Sequence, residues 1–469
     1  MKKTSLTLLL TDSAAVARLL LLYFLVAPCL AGMAQSAFDF ISRNRHFSAS
    51  NYSIYPDSAL LPMTPAPDGK KPFYLSHYGR HGSRYLNNRK AYDIPYRMLE
   101  HADSLGKLTD VGRTALAELR DIIADAEGRW GDLTDIGKSQ HRRIAARMMQ
   151  HFPEVFEGDA FVDARSTTVK RCILSMCSAL LELTSRNTRL KVSMNSSLRD
   201  MWYLNHQDKL LRDSMMTHRA KCAFDAFCDT RKHNPRLMQL LFNDTAYVSR
   251  EVDEPWLNHY LLKTALIQQN TPMSDRGERL VRLFTTEDIH QFWQCENVWW
   301  YICYGPSTLN GGMEPLTQRC LLRRIIEEAD SVIALDTHGA SLRYGHETCL
   351  LPLACLLGLN GYDYQTDDLA ELEERGWWAC LVFPMASNIQ LVFYRADAHD
   401  DDVLVKVLLN ENEATLPLPS DVAPYYHWRD VRQYYLDKLE KGESALSLER
   451  QRVHSHLSDH GQKSVGACR

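Results

Sequence analysis

Three short apolar runs, each stopping at a polar loop that leads into a helix, constrain this chain more than anything else in it. Pro72 to Tyr78 (PFYLSHY) reads as a buried strand that ends at GRHGSR. FVDARSTT, from Phe161, reads as a strand running into the apolar helix VKRCILSMCSALLELTSR. HGASLRYGHETCLLPLACLLGL, from His338, repeats the pattern as strand, loop and helix. Strands alternating with helices build a sheet covered on both faces. Two later runs, WWACLVFPMASNIQLVFYR and VLVKVLLNE, supply two or three further strands that pair antiparallel. The expected class is α/β: a central mixed sheet flanked by helices, with an antiparallel edge.

The chain has 469 residues, more than one typical domain. From Met201 to Arg324, charged, aromatic and helical segments alternate without strand signals, which predicts an inserted, mainly helical cap. The expected organisation is a discontinuous core (35–200 and 325–442), the cap (201–324) and a loosely held polar tail (443–469). Within the core, Tyr92 to Ala126 is broadly helical, another helix starts near Thr134 or Asp135, and Leu190 to Asn195 is a short strand. A net charge of -4 argues against an overall nucleic-acid footprint and says nothing against a local basic pocket.

Lys2, Lys3 and Arg18 precede an apolar run, Leu19 to Ala27, that is short for a membrane span. Gly32 and Ala34 suit the small-residue positions of a signal peptidase site. Residues 1–34 are therefore expected to be a signal peptide cleaved before Gln35, giving a periplasmic or secreted protein without stable membrane insertion. A retained anchor is the alternative. Pro28 before Cys29 disfavours a lipoprotein cysteine. Twelve cysteines become eleven after cleavage, so at least one is free or pairs between chains. Cys172 and Cys177, on one helix, are poorly placed to bridge each other. No CxxC or zinc spacing occurs, and most cysteines read as small buried hydrophobes.

In GRHGSR, Arg80 and Arg84 offer planar donor forks matched to phosphate oxygens. Gly82 allows close backbone approach, and His81, among cations, keeps a neutral nucleophilic nitrogen. The plainer reading is a basic surface turn. In DARSTTVKRC, Arg165 leaves a strand ahead of a helix start and so points toward a cleft mouth; the plainer reading is a surface ion pair, and Arg171 reads as structural. In RYGHETC, Glu347 can stay protonated if partly buried and donate to a leaving oxygen, and His346 can donate to a phosphoryl oxygen. Glu347 can equally just complement the helix dipole. Leu350 breaks the zinc motif HExxH. No GxSxG or Walker loop occurs. The aromatic segment QFWQCENVWWYICY reads as cap core, His141 and His151 as surface or interhelix residues, and His77 and His338 have no assigned role.

Taken together, these segments resemble the histidine acid phosphatase family, the second branch of the histidine phosphatases, in its phytase and multiple inositol polyphosphate phosphatase group. RHGSR matches the family's RHGxR, LTDIGKSQHRRIAARM its LTxxGxxQ helix, ARSTTVKRC its RxTxxxR segment, and FPMASNIQLVFYR a late strand pair. GHET stands where most members carry His-Asp followed by Thr. The inositol polyphosphate branch uses His-Ala-Glu, so His346-Glu347 is a hybrid of the two patterns. The resemblance runs in order from about Phe73 to Arg395.

The resemblance implies a metal-free, cofactor-free phosphomonoesterase. His81 would be the nucleophile that becomes phosphohistidine, and Glu347 the proton donor. Arg80, Arg84, Arg165 and His346 would hold the substrate phosphate. The partner implied is a small phosphate monoester, an inositol polyphosphate such as phytate, met by cap residues such as Arg212, His218, Arg219, Lys221, Arg231 and Lys232. The plainer reading of those six is a solvated helix face. A broad-specificity acid phosphatase, a non-catalytic phospholigand binder and a phosphomutase are the alternatives. Oligomeric state and disulfide pairing are left open.

Overall fold

The computed structural model describes residues 36–465 apart from 207 and 336, with side chains to residue 452. The expected leader, its cleavage site and Cys29 lie outside the described residues.

Eight strands form one mixed sheet. They are β1 (Lys71–Arg80), β2 (Phe161–Ser166), β3 (Lys191–Ser196), β4 (Gly339–Gly345), β5 (Asn388–Arg395), β6 (Leu404–Leu409), β7 (Asn412–Ala414) and β8 (Tyr425–His427). The order is β3-β2-β4-β1-β5-β6-β7, with β8 also pairing β6. β3, β2, β4 and β1 run parallel, while β5, β6, β7 and β8 are antiparallel. This is the expected α/β class, antiparallel edge included. The longer helices are α1 (Lys90–Ser104), α2 (Asp110–Ala126), α3 (Asp135–His151), α4 (Lys170–Arg186), α5 (His218–Asp229), α6 (Glu254–Ile267), α7 (Thr286–Tyr304), α8 (Arg319–Ala334), α9 (Glu347–Leu357) and α10 (Trp428–Val465). No helix among the described residues is long and apolar enough to cross a membrane.

Strand alternation splits the core into two layers. Leu75, Val162, Ala164, Leu342 and Val392 face one side, with Met176, Ala179 and Leu183 of α4 over them. Tyr74, Tyr78 and Phe393 face the other, under Leu322 and Ile326 of α8 and the almost wholly apolar α9. A third apolar cluster lies apart. It joins α1 and α2 to α6 and the first half of α7, so two helices read as core from sequence pack with helices of the inserted segment.

The segment after Gly442 is not a loose tail. It continues α10, Leu446 is buried, and Arg450 pairs with the buried Asp208 at 2.7 Å. Its polar composition reflects a helix with one buried stripe. The ten described cysteines are all free thiols; six of the ten are buried, and Cys349, Cys355 and Cys380 belong to the apolar clusters.

Candidate active site

Parallel strands β1 and β4 end level, Arg80 lying beside Gly345. The next residues, His81 and His346, therefore emerge together at the carboxyl edge of the sheet, where open α/β sheets place their ligands. Their rings meet edge-on with centroids 5.8 Å apart. The backbone holds this register: His81 N–H donates to the Gly345 carbonyl at 3.0 Å and Arg80 N–H to Ser387 at 2.8 Å. The loop after His81 is pressed on the first turn of α3, which Thr134 caps by accepting from Gly137 N–H. A Cβ on Gly82 would lie 2.5 Å from the Gly137 carbonyl oxygen, and one on Gly137 2.4 Å from that of Ser83. Two backbones this close exclude any side chain at either position. Gln140 completes the clamp, accepting from Ser83 N–H and donating to its hydroxyl.

His81 is fully buried. Its Nδ1 lies 3.0 Å from the Gly82 carbonyl, a group that can only accept. Nδ1 therefore carries the proton, and Nε2 keeps its lone pair. That Nε2 has no hydrogen bond and faces Glu347 Oε2 at 3.5 Å. Burial first, and Arg80 next among the opposing charges, holds the imidazole well below its usual pKa, against the pull of Glu347. His346 is held down to about 4 by burial, and its Nε2 lies 3.2 Å from the Thr167 hydroxyl.

Glu347 begins α9. Asn51 Nδ2 donates to its Oε1 at 3.1 Å, Arg80 reaches the same oxygen at 3.1 Å, and Arg84 stands 3.7 Å away. The sequence suggested a carboxyl kept protonated by partial burial. Burial does raise its pKa, but the charges of Arg80 first and Arg84 after it outweigh burial and hold it well below the usual range. Glu347 is thus a carboxylate lying where an anion would be clamped. Arg80 is fully buried, its Nη1 donating to the carbonyls of Asn51 and Phe383 at 2.5 and 2.6 Å. Burial lowers it to about 10.

Of the six residues expected in the site, the structure gathers five. Arg165 is the exception. It projects from β2 on the face opposite the buried Ala164, donating to Asp163 at 2.9 Å and Asp200 at 3.0 Å. The plainer reading, an ion pair, is the one that applies. Arg171, which reads as structural from the sequence, lies beside the gathered group instead. It sits in the first turn of α4, half-buried, with an unpartnered Nε. Its charge acts on Arg80, His81 and His346, and burial and Arg84 lower its own pKa. A signal was available: Asp163 and Arg165, two apart on a strand, share a face and satisfy each other. Asn51 carried no such signal, since nothing local ties it to a residue 296 positions away.

A cavity of about 510 Å³ opens from Arg84, Glu347 and Thr348. Its walls come from the inserted segment: Phe224 of α5, His259 and Lys263 of α6, and Phe292, Trp299 and Tyr304 of α7, with Arg231 and Lys232. The aromatic segment read as core thus divides, Trp293 being buried while Trp299 and Tyr304 line the cleft. Among the basic residues expected there, Arg231 and Lys232 line the cavity. Arg219 and Lys221 instead pair with Asp367 and Asp225, Arg212 lines a smaller neighbouring cavity, and His218 Nδ1 lies 3.8 Å from Cys222 Sγ. His141 is buried rather than on the surface, and with His77 it flanks the Tyr344 ring at 5.5 and 5.2 Å. His81, His346 and Glu347 could together hold a metal ion, their ligand atoms lying within 4.8 Å of one another. Three guanidinium groups around them oppose a cation there and favour an anion.

The model of the histidine phosphatase superfamily (branch 2) matches residues 79–410. Among solved structures, the multiple inositol polyphosphate phosphatase of Bifidobacterium longum, in complex with inositol hexasulfate, superposes with a TM-score of 0.69 at 18% identity, over 83% of this chain and 97% of that one. The phytase from D. castellii superposes with a TM-score of 0.59 at 15% identity, over 84% and 85%. Among curated proteins none matches.

Proposed function

The chain belongs to the histidine phosphatase superfamily, branch 2, and from that premise we propose that it hydrolyses phosphate monoesters through a phosphohistidine on His81, with inositol polyphosphates as its substrates. The observation that carries this reading is the pairing of an unprotonated, unbonded His81 Nε2 with a carboxylate, inside a ring of arginines that outnumber their counter-charge.

The chemistry follows from these residues. A phosphate dianion takes over Arg80, Arg84 and Arg171, and His346 faces a phosphoryl oxygen. Beside that dianion Glu347 loses its counter-charges and feels like charge instead, both of which raise its pKa and let it take up a proton. Nε2 of His81 attacks phosphorus, the N–P bond forms as the ester P–O bond breaks, and Glu347 gives its proton to the departing alkoxide. As a carboxylate again, Glu347 takes a proton from water. The resulting hydroxide displaces His81 from phosphorus, leaving inorganic phosphate. The basic lining of Arg231, Lys232 and Lys263 favours a substrate carrying several phosphates over a simple monoester. The Bifidobacterium enzyme, whose fold this chain shares, binds inositol hexasulfate.

Two measurements test this. A phosphoenzyme stable to alkali and lost in acid should form on the wild type and be absent from His81→Ala, whose turnover falls at least ~10⁴-fold. Turnover of His81→Ala near the wild-type rate refutes the nucleophile. A panel of phytate, sugar phosphates and p-nitrophenyl phosphate should show the highest kcat/KM for phytate; equal values across the panel point to a broad-specificity phosphatase. Export to the periplasm or medium is part of the same proposal and rests on the leader-like composition of residues 1–34. Amino-terminal sequencing of the mature protein checks it.

A further inference from the structure

We infer that the free edge of β3 is a self-association surface, where two copies of this chain join their sheets antiparallel across a two-fold axis. β3 closes one end of the sheet and pairs with β2 in regular register along all its residues. Among the described residues no backbone hydrogen bond reaches its outer side. The opposite edge is covered: Leu61 and Thr64 N–H donate to Asn412 and Glu413 of β7, and Lys406 Nζ donates to the Thr64 carbonyl. Exposed edges are ordinarily blunted by charge, proline, a bulge or a covering segment. β3 has no proline, no bulge and no cover, and its one charge, Lys191, is neutralised by Asp159 at 2.7 Å.

The surroundings of this edge are apolar. Val192 and Met194 lie on the face shared with Val162 and Ala164, under α4. Cys177 of α4 reaches Met194 Sδ at 3.8 Å. Leu174 and Leu181, one turn to either side of Cys177, therefore border the same edge. Exposures are 37% for Val192, 56% for Met194, 44% for Leu174 and 59% for Leu181. Just past the strand, Leu198 is 79% and Trp202 51% exposed. Together these side chains present roughly 600 Å², the larger part of the ~800 Å² per partner that a standard interface covers. Apolar exposure of this size, next to an open strand edge, stands at the upper end of what a monomer carries.

The occupant that fits is a second copy. An antiparallel two-fold through Ser193 sets Val192 of one copy opposite Met194 of the other, on the α4 face, and Lys191 opposite Asn195. Apolar residues then meet apolar residues, and no like charges oppose. β2 and β4 stand between this edge and β1, which leads to the nucleophile.

Sedimentation of the full chain at micromolar concentration should give a dimer. Met194→Lys, which sets a charge on the pairing face, should give a monomer with unchanged circular dichroism and unchanged hydrolysis of p-nitrophenyl phosphate. Ser193→Cys, mixed with a low-molecular-weight disulfide as two-electron oxidant, should yield a covalent dimer above the wild-type level, each interchain bond releasing two small thiols. A monomeric wild type overturns the proposal. So does a dimer that survives Met194→Lys and gives no such cross-link, because it must form through another surface.

Discussion

Two arginine clusters flank the carboxyl end of β2, and they differ in the number of their counter-charges. Arg165 has two carboxylates, Asp163 and Asp200, for one guanidinium. Arg80 and Arg84 share the single carboxylate of Glu347, with Arg171 near enough to disfavour its neighbours' charge. In the first cluster the guanidinium charge is fully compensated. The second is held together by packing against its own repulsion, and burying incompletely paired charge costs several kcal/mol. A phosphate dianion relieves that imbalance. Six residues apart in sequence, Arg165 and Arg171 thus differ in carboxylate supply, and we propose that only Arg171 meets the substrate phosphate.

The largest effect that would break this comparison is at the shared carboxylate. Glu347→Gln should slow phytate hydrolysis about 10³-fold and p-nitrophenyl phosphate, whose leaving group needs little protonation, about 10-fold. The same variant should bind inorganic phosphate more tightly, because no carboxylate competes for the arginines; equal losses on both substrates remove Glu347 as the acid. Next in size is the contrast between the arginines themselves. Arg171→Ala should lower kcat/KM about 10²-fold and keep wild-type stability or gain some. Arg165→Ala should keep its activity per folded molecule and lose about 1–3 kcal/mol in denaturant unfolding, since two part-buried carboxylates lose their partner. The reverse outcome would return Arg165 to the site.

Smaller is the dependence of stability on pH. Burial holds His77 and His141 at about 3 and His346 at about 4. Below ~6.5 the unfolded chain takes up protons that these folded groups refuse, so stability falls as pH drops from ~6.5 toward 4. Glu347 acts in the same sense at lower pH, its contribution complete above ~4.3 and lost as pH falls through its depressed folded value. The denaturation midpoint should be lower at pH 4.5 than at pH 7, and His141→Gln should flatten that slope; an unchanged slope excludes His141. The smallest expected effect is none: EDTA should leave phosphatase activity intact, because the arginines supply the positive charge. Activity lost to EDTA and restored by a divalent ion would put a metal among His81, His346 and Glu347.

Much of the site was legible because it is local. GRHGSR and GHET each follow a strand that the apolar pattern marks, and β1 and β4 are neighbours, so two short motifs become one site. The reading failed where a side chain's direction mattered. Arg165 lies inside a strand whose alternation turns it away from α4, while Arg171 sits in the first turn of a helix, where a structural reading is equally natural. The protonation state of Glu347 was misread because burial alone raises a carboxyl's pKa, and only its distances to Arg80 and Arg84 show that burial is outweighed. The tail after Gly442 read as loose because a one-sided helix is polar on average, and Leu446 reveals its buried side only against its neighbours.

The sequence by itself determined the strands β1 to β6, the order in which helices follow them, and the pair of histidines that emerge at strand ends, because apolar periodicity and motif chemistry act over a few residues. Only the tertiary structure decided which arginines go unpaid by a carboxylate, that Asn51 and Lys263 reach the cleft, and that β3 is left bare. Charge compensation and exposure depend on distances between residues far apart in the chain, and those distances are set by how the layers pack.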